Sequence, residues 1–413
     1  MRTKRRRRFG NPVIASSRGG AQHMSSSPRR STSRSPARKR VLHRSQATGK
    51  VVVTGGAGFV GRRLAEMLHD RGNDVVSFDK VAAPPGHQEI CHVIGDLTCL
   101  ADVLAVCEGA VCVYHIAAAV GPYLPQPVYK AVNQVGTHNV ITACQRLGVS
   151  KIVMASSPST RFQWGVDIDG LSEATLPALP LPEYMQAYAE TKAAGELALR
   201  AACSESLMTV AVAPHQVYGP RDSLFLPAVL DAGLSGRLRR FGSKRNRVAF
   251  TFVDNYCHAL MLAEKALFPK SRALGGFYIV TDGATHPRPE GFADFWDVLD
   301  AACVAMGAPS FARKWPYPHT VLAAAAAAAT ALGSLTGTTY KVKRSALMLE
   351  RCGPAMDPTL GAPLTGLLCN AVRSSTPLRC SLRQCTAGST LPQRVVTCTT
   401  SRSFLLTRGG AGR

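Results

Sequence analysis

The sequence predicts an α/β fold built on a doubly wound parallel sheet, with a smaller C-terminal substrate-binding region and disordered tails. Three observations carry this. Apolar, β-branched runs alternate with helical patterns from residue 50 onward. Four glycines fall within the seven positions 55–61, directly after the first such run. The second run ends on an acid, Asp79, 18 residues past Gly61. Alternation of this kind joins parallel strands through helices, which cover both faces of the sheet.

The elements follow in chain order. KVVVTG reads as a buried strand at 50–55. FVGRRLAEMLHDRG then carries apolar residues at Phe59, Val60, Leu64, Met67 and Leu68, which suits a helix ending at Gly72. DVVSFDK gives a second strand at 74–79, and further strands are expected at 90–96, 110–118, 151–157 and 208–214. Helices are expected between them, at 98–107, 128–147 and 184–203. Beyond about 285 the pattern loosens. Val321 to Leu335 is apolar and includes seven consecutive alanines, with Trp315 and Tyr317 just before it. A spanning helix needs roughly 20 apolar residues. This shorter run leaves two readings open, an Ala-rich helix of a globular protein or a helix 319–335 that touches a membrane. The expected organisation is a basic tail or targeting segment at 1–48, a catalytic domain at 49–285, a substrate-side region at 286–350 and a disordered tail at 351–413.

The formal net charge of +23 belongs to the tails. Residues 1–50 hold 15 of the 49 Lys and Arg, residues 358–413 hold seven, and neither segment has an acid. The part between is close to neutral, so no nucleic-acid surface is expected. The Arg- and Ser-rich N-terminus lacks an apolar core for a secretory signal, and organelle targeting and a plain solvated tail are both open. Thirteen cysteines lie scattered without metal-ligand spacing, which argues for free thiols and no metal site.

The glycines have a physical use. A strand, a Gly-rich turn and a helix N-terminus present free N–H groups and a helix dipole to an anion, and glycine lets that anion approach the backbone. Gly56, Gly58 and Gly61 fit G-x-G-x-x-G, while Thr54, Gly55, Gly58 and Gly61 fit T-G-x-x-G-x-x-G with Gly56 as an extra small residue. Both readings place a dinucleotide pyrophosphate on the turn of a Rossmann-type fold. Asp79 can accept hydrogen bonds from an adenosine ribose and repels a 2′-phosphate, which favours NAD. Arg62, Arg63 and Lys80 keep NADP open.

Two segments carry the chemistry. KIVMASSPST runs into Ser156 and Ser157, and YMQAYAETKAAGELAL places Tyr188 and Lys192 four apart on one helical face. A tyrosine with the usual pKa of about 10 is a poor base near neutrality, and lowering it by roughly three units takes about 4 kcal/mol. A lysine ammonium and a cationic nicotinamide can supply that. A serine hydroxyl can hold the substrate oxygen while the tyrosine exchanges its proton. Taken alone, Y-x-x-x-K is a common accident. The glycine turn, Asp79 and the serines in this order lift it above coincidence.

These stretches, with GDLTCLADV, YHIAA, VNQVGTHNVI, VYGPRD and FTFVDN, resemble the extended short-chain dehydrogenase/reductase superfamily, and within it the 3β-hydroxysteroid dehydrogenase family. SSPSTRFQWGVDIDGLSEATLP with YAETKAAGE is most similar to the sterol-4α-carboxylate 3-dehydrogenases (decarboxylating). The resemblance spans residues 50–345 and excludes both tails. It implies that Gly55, Gly58 and Gly61 cradle the pyrophosphate, flanked by Phe59 and Val60, and that Asp79 binds the ribose. It places Asp96 and Leu97 on the adenine side and Ala117 and Ala118 beside the cofactor. It makes Ser157, rather than Ser156, the catalytic serine, with Tyr188 as acid/base and Lys192 as its partner, both also touching the cofactor. Asn133 would steady the strand-four backbone. The implied reaction is NAD-dependent oxidation of a sterol or steroid 3β-hydroxyl, with loss of a C4 carboxylate. The implied location is the endoplasmic reticulum membrane or its cytoplasmic face, with peripheral membrane contact and a homodimer left open. The chain departs from the family at Ala213, where an arginine is usual. Pro158 confines Ser157 to extended backbone. Two alternatives stand beside this reading: another extended short-chain reductase or epimerase, of nucleotide-sugar or dihydroflavonol type, and a silent NAD-binding scaffold.

Overall fold

The computed structural model describes residues 49–336, except 84, 87–88, 122–123, 164–171, 241–246 and 283–292. Both tails, and the GVDIDG stretch at 165–170, lie outside the described residues.

Strands β1 (Lys50–Thr54), β2 (Val75–Asp79), β3 (Cys91–Ile94), β4 (Ala110–His115), β5 (Lys151–Ala155) and β6 (Met208–Pro214) are joined by β10 (Gly276–Val280) into one parallel sheet, in the order β10-β6-β5-β4-β1-β2-β3. Its central strands are valine-rich and buried on both faces, as helical crossovers require. Helices α1 (Phe59–His69) and α7 (Val253–Lys265) cover one face, where Leu64, Leu68, Tyr256 and Leu260 pack on Val51, Val53, Val153 and Val210. The other face carries α2 (Leu100–Cys107), α4 (Gly136–Leu147) and α5 (Ala187–Ala201), with Val103, Val140 and Leu199 against Val113, Ile152 and Met154. Strand order turns back between β1 and β4, so the crevice at their carboxyl ends is where ligands of such sheets bind.

Most spans shift by one to three residues at their ends, and three departures bear on the site. β4 stops at His115 rather than 118, because the amides of Ile116 and Ala117 leave the sheet and donate to Thr54 Oγ1, each at 3.1 Å. β5 stops at Ala155, although Ser156 N still reaches Val212 O at 2.9 Å. The single helix expected at 128–147 is a short α3 (Gln126–Tyr129), a π-helical turn (Lys130–Val135) and α4. The wide turn carries Asn133 and buries it.

The region expected on the substrate side is built differently. β7 (Gln216–Tyr218) pairs in parallel with β9 (Phe250–Phe252), and β8 (Arg247–Val248) pairs antiparallel with β11 (Ala293–Asp294). A small core of Trp296, Leu299, Cys303 and Phe311 joins α8 (Phe295–Ala305) to Val229 and Leu230 of α6 (Leu226–Leu234). The cluster thus draws on chain from both sides of residue 285. α9 (His319–Thr336) holds the alanine run; Val321 and Leu332 on it are exposed, and Trp315 ahead of it is 91% exposed. Among the described residues no helix is long and apolar enough to cross a membrane. The described cysteines are free thiols, and no cluster of metal-ligating side chains occurs among the described residues.

Candidate active site

The glycine turn follows directly from its sequence. Gly55 sits at φ +70°, where a Cβ is strained, and a Cβ there would lie 2.8 Å from the backbone of Ala117. A Cβ on Gly61 would collide with Gly55 O, so the helix can start this close to the strand only with glycine. Gly58 is the exception: a Cβ there would meet only Gly55 O, at 3.2 Å, and otherwise faces open space. That is the cradle a pyrophosphate needs, at the N-terminus of α1. Gly55, Gly56 and Gly61 are each held to glycine by their surroundings, so both spacings stand. Gly56 is more than an extra small residue, since a Cβ on it would run into Ser77 Oγ.

Asp79 closes the far side of the turn. Its Oδ2 accepts from Ala57 N at 3.1 Å. Of the three nearby cations, Arg62 is held by Glu66 and Pro85 O, and Arg63 is held by Asp254 at 2.6 and 2.8 Å. Asp96 is exposed and its carboxylate accepts from Thr98, which lowers its pKa. Leu97 is buried against Gly136. Phe59 and Val60 open α1 and pack on the core beneath it. Ala117 abuts Gly55, and Ala118 follows it off the end of β4.

The three groups expected to react lie just past the carboxyl end of β5 and at the start of α5. Ser157 is extended (φ −149°, ψ 140°), as the following proline demands; its hydroxyl pairs with Ser159 Oγ at 2.9 Å and lies close enough to Tyr188 to draw that tyrosine's pKa down. Tyr129 packs edge-on against the Tyr188 ring, with centroids 6.1 Å apart. Lys192 is buried and its Nζ donates to Ala155 O at 2.6 Å, the last carbonyl of β5. Thus Ser157, Tyr188 and Lys192 come together. The electrostatics differ from the sequence expectation. Burial raises the Tyr188 pKa, against a downward pull from Ser157, and burial lowers Lys192 to about 8. The site is dry enough to disfavour both charged forms.

Sequence reasoning missed two networks, save for Asn133, which it expected beside the strand-four backbone. His115, fully buried, lies opposite Thr54 in register. Thr137 Oγ1 donates to Asn133 O at 2.7 Å, so it can only accept from His115 Nε2 at 2.9 Å. His115 Nδ1 therefore accepts from Thr54 Oγ1 at 3.0 Å, and the ring is neutral, with burial pushing its pKa down to about 3. Asn133 continues the chain to Ala119 N and O and to Thr191 Oγ1 on α5. The second network joins Ser156, Arg161 and Glu196. Only the spacing of Glu196, one turn beyond Lys192, hinted at it. His215, off the carboxyl end of β6, was also passed over; its Nδ1 donates to Ala249 O at 2.8 Å, and burial lowers its pKa. An open cavity of about 450 Å³ beside the start of α5 is lined by Gln126, Leu181, Glu183 and Glu190 but by none of the three reacting residues.

Comparison with known proteins adds a family. A model of the 3-beta hydroxysteroid dehydrogenase/isomerase family matches residues 52–301. A 2-alkyl-3-oxoalkanoate reductase of Stenotrophomonas maltophilia is 34% identical over 63% of this chain and 76% of its own. The human sterol-4-alpha-carboxylate 3-dehydrogenase, decarboxylating, is 32% identical over 66% of this chain and 70% of its own. The solved UDP-glucose 4-epimerase of Thermus thermophilus, a complex with NAD, is 25% identical and covers 65% of this chain and 86% of its own, with a TM-score of 0.50. A second family model, T-box transcription factor 2/3, repressor domain, matches residues 275–357. That stretch runs from β10, a strand of the parallel sheet, through the alanine run of α9.

Proposed function

Because the chain belongs to the 3-beta hydroxysteroid dehydrogenase/isomerase family, whose members are oxidoreductases acting on CH–OH groups, we propose that it oxidises the 3β-hydroxyl of a sterol bearing a carboxylate on C4. The observation that supports this is Ser157 next to Tyr188, with Lys192 on the last carbonyl of β5, in the same parallel sheet whose first strand runs into a glycine turn with an open cradle. Gly55, Gly58 and Gly61 hold the pyrophosphate of NAD, and Asp79 holds its ribose. NAD is favoured over NADP because Arg62 and Arg63 are already committed to acids. NAD, when bound, supplies the hydride acceptor.

The residues divide the remaining work. Ser157 donates to the substrate oxygen and fixes its direction. Tyr188 removes the hydroxyl proton as the carbinol C–H is lost, and Lys192 supplies positive charge to the phenolate. Burial raises the Tyr188 pKa, and positive charge from Lys192 and from a bound nicotinamide would act against that rise. The product is a β-keto acid. Its ketone accepts the electron pair of the bond to the carboxylate carbon, carbon dioxide leaves, and the resulting enolate takes up a proton. No metal ion is needed for that step.

The names of both relatives describe an oxygen function on the carbon next to the one that bears a carboxylate. A 2-alkyl-3-hydroxy acid is therefore the second reading, and a panel of both acids with a plain 3β-hydroxysteroid separates them. Preference for the carboxysterol supports the first. Exclusive turnover of the acyclic acid replaces it. For an insoluble sterol, exposed Trp315 and α9 form the surface that meets a bilayer. A truncation ending near residue 315 that still pellets with membranes removes that part of the reading.

A further inference from the structure

Glu196 is fully buried, and so, nearly, is Arg161 at 4% exposed. Arg161 Nη1 donates to Glu196 Oε2 at 2.7 Å and Nη2 to Oε1 at 2.5 Å. Ser156 Oγ adds a third bond to Oε2 at 2.8 Å. Arg200 stands off at 3.8 Å and is 42% exposed. Burying two charges is expensive, and apolar residues of similar volume often serve stability as well or better. A pair kept in this place therefore calls for a use.

Its location suggests one. Arg161 ends the 3-10 turn Pro158–Arg161, which starts from Ser157. The turn is braced internally, with Thr160 Oγ1 on Ser157 O at 2.7 Å, and the guanidinium lies 3.9 Å over the Phe277 ring of β10. Glu196 lies on α5, one turn past Lys192 and two past Tyr188. One carboxylate thus ties the serine-bearing strand end to the helix that bears the other two reacting groups. It also faces Lys192 electrostatically and favours its charged form.

We propose that Glu196 is a positioning residue: through Ser156 and Arg161 it clamps the Ser157 turn to the Tyr188–Lys192 helix, and it supplies the counter-charge for the buried Lys192 ammonium. This rests on the catalytic roles given above. The ionisable groups around Lys192 are Tyr188 and Glu196 on its own helix, Arg161 in the turn and His115 on β4, which is neutral. Glu196 is the one carboxyl group among them, and Arg161 pairs with it through two bonds. A misplacement of about 1 Å between reacting groups costs on the order of a hundredfold in rate, so a clamp at this joint acts on kcat.

Two variants of the full chain separate the two parts. Glu196→Gln keeps the shape and removes the charge; Glu196→Asp keeps the charge and withdraws it by one methylene. Lys192 is followed by NMR of 15N-lysine protein, assigned with Lys192→Met, and kcat is followed with NAD and the carboxysterol. In Glu196→Gln the Lys192 midpoint falls by about one pH unit, the alkaline limb of kcat moves with it, and KM for NAD stays within about twofold. In Glu196→Asp the midpoint holds and kcat drops roughly tenfold or more. A folded Glu196→Gln with the wild-type midpoint overturns the counter-charge, and full kcat in Glu196→Asp overturns the clamp. Should Glu196→Gln fail to fold, Glu196→Asp still decides the clamp. Wild-type protein inactive on every 3-hydroxy substrate overturns the functional reading, and the Lys192 midpoint then decides on Glu196 by itself.

Discussion

The cofactor side and the substrate side of this molecule are built on opposite principles. On the cofactor side, strands buried on both faces bring Thr54, Asp79 and His115 to one crevice, and the turn between β1 and α1 works by omitting side chains. On the substrate side, short strand pairs and a small aromatic core of Trp296 and Phe311 join α6 to α8. The first region fixes backbone to backbone within hydrogen-bond distance. The second rests on a few large side chains. In the reading proposed above, the reacting triad forms the seam, with Ser157 just past the carboxyl end of β5 and Tyr188 and Lys192 at the start of α5. The chemistry should therefore be sensitive to atoms on one side and to packing on the other.

The sharpest break is at the seam. Tyr188→Phe removes the proton acceptor but keeps the ring packed on Tyr129, and should lower kcat by about 10³-fold while NAD still binds. Steady-state NADH formation with a separate NAD titration checks both halves. Next comes the substrate-side core. Phe311→Ala should cost about 3–5 kcal/mol of local packing, raise KM for the sterol and leave NAD affinity intact, as denaturant melts and a KM comparison would read.

Lys192 sharpens the comparison through pH. Folded, it loses its proton near pH 8; unfolded, it holds it to the model-peptide value of 10.5. Between those values the unfolded chain binds the extra proton, so wild-type stability should climb relative to Lys192→Met, by up to about 3 kcal/mol. Chemical denaturation at pH 7.5 and pH 10 tests the sign. Asp79→Asn should shift the NAD/NADP preference toward NADP by roughly tenfold, since a charged hydrogen bond to ribose is worth about 1.5–3 kcal/mol. The smallest effect belongs to Arg221→Ala. Its bidentate pair with Glu66, at 2.6 and 2.7 Å, is partly exposed, and its loss should cost less than about 1 kcal/mol in a melt.

What was legible in the sequence was local. The Gly55–Gly61 turn and Tyr188 with Lys192 on one helical face are spacings within a few residues, and Asp79 closes the very next strand, 18 residues past Gly61. The parts that were not legible are meetings across the chain. Arg161 reaches Glu196 over 35 positions, and His115 reaches Thr54 over 61. Nothing in TRFQ announces a buried guanidinium. The strand expected to run to 118 ends early for the same reason, because a hydroxyl on β1 takes the amides of Ile116 and Ala117. The substrate side was dim because its core is assembled from α6 and α8, far apart in sequence, with no periodic signal of its own.

The central claim is that Tyr188, beside Ser157 and Lys192, takes the proton from a hydroxyl next to a carboxylate-bearing carbon. The most direct test follows NADH absorbance and carbon dioxide release together, with a 4α-carboxysterol, for wild-type protein and Tyr188→Phe. The account predicts equal amounts of both products from wild type, and both lowered by at least about a hundredfold in the variant. Equal rates in the two proteins, or NAD binding by wild type with no turnover of the carboxysterol, would contradict it.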